Sequence, residues 1–238
     1  MNQIPFDISV PSILDVLSIS TSFMLGLLFI TSKSNNKKAN VFLGLFLWSL
    51  SIEVLGSFLY STFYIDFVFI NTSLFTIPFL FLYVYQTLNI KLRWFHFLLF
   101  LPGIFIDFFK LESLLDDLFN LSILLYMLKT LKFHRIRLGD FYSDIENKTL
   151  AWIKTIIYIY LFFHSIWIIE EFLDEDLQFY FALASNFLTF FMIYWIGYNG
   201  FSQSEIFSSL QFQKKIENPL ILQTENNEKT KQQFHKIS

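Results

Sequence analysis

Between residues 10 and 198 the chain is a succession of seven apolar runs, most of them about 20 residues long, joined by short polar links. A helix of about 20 residues rises about 30 Å, the thickness of the hydrocarbon core of a bilayer. The runs are roughly 10–31, 41–60, 68–88, 95–109, 114–131, 150–169 and 177–198. The fourth is short and the fifth opens with Asp116 and Asp117, so these two carry the weakest signal. Composition agrees: charged residues make up 16% of the chain, against about 25% in soluble domains. The 33 phenylalanines are spread along the length, which leaves little from which to build a water-facing surface.

The links set an expected orientation. Cations fall in the first link (Lys33, Lys37, Lys38), the third (Lys91, Arg93) and the fifth (Lys129, Lys132, Arg135, Arg137, Lys148). They recur in the tail (Lys214, Lys215, Lys229, Lys231, Lys236), leaving only Lys110 and Lys154 elsewhere. Lys154 is in the first turn of run six, from where its stem reaches the interface. Cytoplasmic links carry the excess of Lys and Arg, so the alternation predicts an all-α, integral membrane seven-helix bundle, N-terminus outside and C-terminus cytoplasmic. The sixth link is acidic (Glu170, Glu171, Asp174, Glu175, Asp176), as suits the outer side. The N-terminal stretch has no basic region ahead of its apolar run, so it does not read as a cleaved signal peptide. Residues 1–200 form the expected bundle and 201–238 a cytoplasmic tail, polar and aperiodic after Gln213. The expected location is the cell (inner or cytoplasmic) membrane, crossed several times.

Ionisable groups at membrane depth are costly and mark candidate sites. Glu53, in run two, shares a helical face with Ser49, Gly56 and Tyr60. His164 is central in run six, with Tyr160, Trp167 and Glu171 on its face. Run seven carries a small, polar stripe of Ala182, Ser185, Asn186 and Thr189. Glu53, His164, Tyr160 and Asn186 are therefore the candidate ligand or signal residues, lining one outward-opening pocket. The competing reading is helix packing, because small and polar stripes are also how membrane helices associate.

The motif inventory excludes much. With no cysteine, thiolate chemistry and disulfides are impossible. No metalloprotease, phosphate-loop, nucleophile-elbow or dinucleotide motif occurs, and the chain has seven glycines in all. The histidines (His96, His134, His164, His235) are scattered without metal-ligand spacing. Run seven has no lysine for a retinal Schiff base, and no catalytic residue, cofactor or metal is expected. The basic fifth link is interrupted by Asp140, Asp144 and Glu146 and contains no recognition module, so direct nucleic-acid binding is not expected either.

The fifth link and its flanks, HRIRLGDFYSDIENKTLAWIK, are the most distinctive stretch. With TIPFLFLYVYQTL, HFLLFLPGIF and GYNGFSQSEIF, they resemble the membrane half of bacterial membrane-anchored AraC-family transcriptional regulators. The matching residues are Pro78, Tyr83, His96, Pro102, His134, Arg135, Tyr142, Ser143, Glu146, Leu150, Trp152, Gly200, Gln203 and Phe207. The resemblance implies a sensor that passes a signal through runs six and seven to a cytoplasmic DNA-binding domain, with His134, Arg135, Tyr142, Ser143, Glu146 and Trp152 as the signalling loop. Such relatives continue into a helix-turn-helix domain, which this sequence lacks up to Ser238. The expected partners are the bilayer, a cytoplasmic regulator or separate DNA-binding domain, and further copies of the chain. The rival readings are a small seven-helix transporter and a membrane assembly subunit.

Overall fold

The structure is a computed structural model that describes residues 10–32, 36–63, 72–88, 90–103, 113–138, 144–170, 177, 180, 181 and 183–202. Among these residues there are seven helices and no strand. They are α1 (Val10–Thr31), α2 (Lys37–Phe63), α3 (Ser73–Thr87), α4 (Trp94–Gly103), α5 (Ser113–Leu138), α6 (Asp144–Glu170) and α7 (183–202). Hydroxyl side chains are accommodated in these apolar helices by bonding back to the carbonyl four residues earlier. Ser22 donates to the Ser18 carbonyl at 2.6 Å, Ser122 to Leu118 at 2.7 Å and Ser165 to Leu161 at 2.8 Å.

Helix α4 differs in form from the expected run, and α5 and α6 extend beyond theirs. The tighter 3₁₀ form opens α4 over Trp94–Phe100, where His96 Nδ1 accepts the Arg93 backbone N–H at 2.9 Å. Residues 104–109 of the expected fourth run lie outside the described residues. By contrast, α5 continues past the apolar run to Leu138 and α6 starts at Asp144, so most of the expected fifth loop is helical. The sequence there is rich in Leu, Lys and Arg, which are good helix formers. Asp144 and Glu146 then suit the positive start of α6.

Helices α1 and α2 form an antiparallel pair. Trp48 Nε1 donates to the Phe23 carbonyl at 3.1 Å, and Ser51 Oγ to that of Ile19 at 3.1 Å. Near the connection, Asn40 Nδ2 donates to Ser32 Oγ at 3.0 Å. Between these contacts Gly26 and Gly44 face each other across the pair. Against α2 pack α3 and α6, through Thr76 on Glu53 and Tyr160 edge-on to Phe46. The Tyr85 and Tyr126 hydroxyls join α3 to α5 at 3.2 Å. Helix α7 closes on α1, with Gly197 against Leu25 and Phe201 stacked on Phe29 at 4.7 Å. A single core of Phe29, Phe46, Leu80, Met127, Ile156, Ile193 and their neighbours results.

The surface around this core is unlike that of a water-soluble protein, because large apolar side chains cover it. The buried face of α1 is Leu14, Asp15, Ser18, Ser22, Gly26 and Phe29, while Val16, Leu17, Phe23, Met24, Leu27 and Leu28 point outward. Leu125, Phe133, Phe162, Phe191 and Tyr198 are likewise exposed on α5, α6 and α7. By length and composition α1 and α2 can cross a membrane; the apolar sections Leu74–Thr87 and Ala151–Ile166 of α3 and α6 are shorter. Only 33% of the most apolar window of α1 and 39% of that of α2 is buried, which distinguishes them from the enclosed core helix of a soluble domain.

Candidate functional site

The antiparallel order brings the N-terminal halves of α1 and α7 beside the C-terminal halves of α2 and α6. There they enclose a cavity of about 260 Å³ lined by Asp15, Ser18, Glu53, Ser57, Tyr160, Ser185, Asn186 and Thr189 over an apolar floor of Leu50, Val54, Phe163 and Met192. Glu53, Tyr160 and Asn186, from three different helices, are thus brought together, as are Ser185 and Thr189 of the run-seven stripe. Thr76 Oγ1 lies 3.1 Å from both Glu53 Oε2 and the Thr72 carbonyl oxygen, so the two acceptors share its single proton. The Tyr160 hydroxyl is buried with no hydrogen-bond partner among the described residues and lies within electrostatic reach of Glu53. No Lys, Arg or His lines the cavity, so its two carboxylates have no cation at the wall.

His164 departs from the expected arrangement. It is 2% exposed and lies outside the cavity lining, with its Nδ1 3.1 Å from Asp117 Oδ1 on α5. Tyr160 and Phe163 hold the cavity side of α6, and His164 is turned toward the acidic start of α5 instead. It remains within electrostatic reach of Glu53. Asn120, also on α5, is fully buried, and both ends of its amide lack a partner among the described residues. The signal for this second polar cluster was the Asp116, Asp117, Asn120 spacing inside an apolar run. Tyr60, expected on the Glu53 face, is 65% exposed because it sits in the last turn of α2, beyond the packed section.

The His164–Asp117 pair makes a stability prediction. Breaking a buried pair leaves one polar group uncompensated, and Asp117 is partly exposed, so His164→Leu should cost about 1–3 kcal/mol. Adding Asp117→Leu should recover much of that loss, as read by thermal unfolding in mild detergent. Strictly additive losses would mean the two side chains are not coupled.

Of the expected signalling residues, Trp152 is buried and packs between Tyr83 at 5.9 Å and Trp195 at 6.3 Å, linking α3, α6 and α7. The backbone at His134 and Arg135 belongs to α5 and that at Glu146 to α6. Tyr142, Ser143, Ala182 and Glu171 lie outside the described residues. Among the described residues no group of three or more His, Cys, Asp or Glu is arranged to hold a metal ion.

Sequence reasoning missed Asp15 and Ser18. They stand at helical spacing with Ser22 and Gly26, a polar stripe in a run otherwise read only as a span. Comparison with known proteins adds no relative to this geometry: no family model, curated protein or solved structure matches the chain.

Proposed function

We propose that this chain is the sensing part of a multi-pass protein of the cytoplasmic membrane, with a ligand pocket opening toward the outside. The observation that carries this reading is the convergence of Asp15, Glu53 and the Tyr160 hydroxyl, which has no hydrogen-bond partner among the described residues, in one cavity at one end of an apolar-surfaced protein. Buried carboxylates inside a membrane are costly to keep, and an ordinary packing contact would not leave a cavity beside them. The cations Lys37, Lys38, Lys91 and Arg93 lie at the opposite end of α2 and α3, as the positive-inside rule asks of an outward pocket. Seven crossings with the N-terminus outside and the C-terminus inside follow from the same alternation.

The two carboxylates and the hydroxyl-rich wall suit a small polar ligand carrying a positive charge. Below the cavity the core is Leu43, Phe46, Leu47, Ile153, Ile156 and Ile196, all buried and apolar. That layer favours a sensor over a transporter, which needs a polar track to the other side. A ligand shifts such a bundle only by its differential affinity for two arrangements. The aromatic contact of Tyr83, Trp152 and Trp195 joins three helices at the cytoplasmic end of this reading and supplies a route for the shift. The resemblance to membrane-anchored AraC-type regulators supplies the output, a DNA-binding domain or partner beyond the described residues.

Replacing His134 and Arg135 together by Ala is expected to uncouple output while the protein inserts normally. Transcript profiles of cells with the wild-type chain, the double variant and no chain test this. A defined set of transcripts should respond to the wild type alone. Unchanged transcripts in cells without the chain, with altered uptake of a small solute, would replace the sensor by a transporter.

A further inference from the structure

We propose that the groove between the start of α2 and the link after α3 binds the phosphate headgroup of an anionic phospholipid. Lys37 and Lys38, in the first turn of α2, and Lys91, in the link after α3, line a cavity of about 720 Å³ together with Gln86. All three lysines are exposed, and none has a carboxylate within 4.0 Å among the described residues. Two sequence-distant elements thus bring three cations into one groove, with no paired carboxylate among the described residues. The first backbone amides of α2 add the positive end of a 27-residue helix.

The apolar walls identify the ligand as a lipid. Val41, Phe42, Ile90 and Leu92 form the rest of the groove, a surface for acyl chain beside a site for phosphate. Trp94, two residues beyond Leu92, is 76% exposed, and tryptophan is the residue type enriched at headgroup level. Two of the other cations face aromatic rings instead: Lys129 lies 6.0 Å from the Phe133 ring and Lys154 lies 5.4 Å from that of Tyr158. Basic pockets between membrane helices at the cytoplasmic face suit lipid phosphates. This inference rests on the membrane reading above, with the lysine end at the cytoplasmic leaflet.

The test uses the full chain, reconstituted in phosphatidylcholine nanodiscs and titrated with phosphatidylglycerol, with bound lipid read by native mass spectrometry. The wild type should retain phosphatidylglycerol through exchange into excess phosphatidylcholine. Lys37→Gln, Lys38→Gln and Lys91→Gln together should weaken retention about a hundredfold, since each surface cation contributes about one factor of five. A control triple, Lys129→Gln, Lys132→Gln and Lys154→Gln, removes equal charge and should keep the lipid. Equal weakening in both triples would overturn the groove in favour of general surface charge. Binding of millimolar inorganic phosphate in place of the lipid would overturn the lipid assignment. A wild-type chain that fails to enter phosphatidylcholine bilayers would overturn the membrane reading itself, an outcome distinct from either.

Discussion

Gly44→Leu is expected to abolish folding, with no monodisperse protein recovered from mild detergent. A Cβ at Gly44 would lie 2.6 Å from the Gly26 carbonyl oxygen and 2.6 Å from Ile30 Cγ1, closer than real Cβ contacts allow. The carbonyl belongs to a helix backbone and cannot swing aside like a flexible side chain. Overpacking in a tight core costs about 1–3 kcal/mol where neighbours can relax; here relaxation means separating α1 from α2, so the loss should reach the upper end or beyond. Separation would also stretch the Trp48 and Ser51 hydrogen bonds to α1. Lipid tails are as apolar as leucine, so close fit and interhelical hydrogen bonds hold membrane helices together. Gly44→Ala should give a graded loss in thermal midpoint, and Leu28→Ala, on the exposed face of α1, a small one. A Gly44→Leu protein as stable as wild type would mean that α1 and α2 do not pack through these glycines.

The α1–α2 pair also marks what the sequence made legible. Two apolar runs joined by a short basic link predicted two adjacent antiparallel helices, and α1 begins and ends with the first run. That Gly26 meets Gly44 was not legible, because crossing register depends on how two surfaces interlock and periodicity describes one surface at a time. The same division holds at the cavity. Glu53 was conspicuous as a charge among apolar neighbours, and Tyr160 and Asn186 by their spacing. Asp15 was equally charged but stands near the start of a run read only as a span, and it was not singled out; packing against α2 and α7 leaves it 5% exposed. His164 erred in the opposite way. Its helical face was right to within one position, and the competing carboxylate of Asp117 on α5 decided which neighbour it met. The extension of α5 to Leu138 was hidden by reading charge as loop, although Lys, Arg and Leu all favour helix.

Neutralising both cavity carboxylates, Asp15→Asn with Glu53→Gln, is expected to abolish the response to the signal while leaving the protein at least as stable as before. The two effects have opposite physical origins. A carboxylate held away from water disfavours the folded state, and the replacement amides are close in size to the acids. The amide oxygen introduced by Glu53→Gln can still accept the Thr76 hydroxyl, so the α2–α3 contact survives. Ligand recognition cannot survive in the same way. A charge-assisted hydrogen bond contributes about 1.5–3 kcal/mol, so each substitution should weaken a cationic ligand about ten- to a hundredfold. Two such losses together exceed any response measurable at the wild-type signal level. Thermal unfolding in detergent and transcript profiling in cells read the two effects separately. Response lost with stability kept would assign Asp15 and Glu53 to binding. Response and stability lost together would return both residues to the scaffold, and the cavity would then be a packing defect roofed by polar side chains. Response kept in full would remove the cavity from the proposed sensing mechanism altogether.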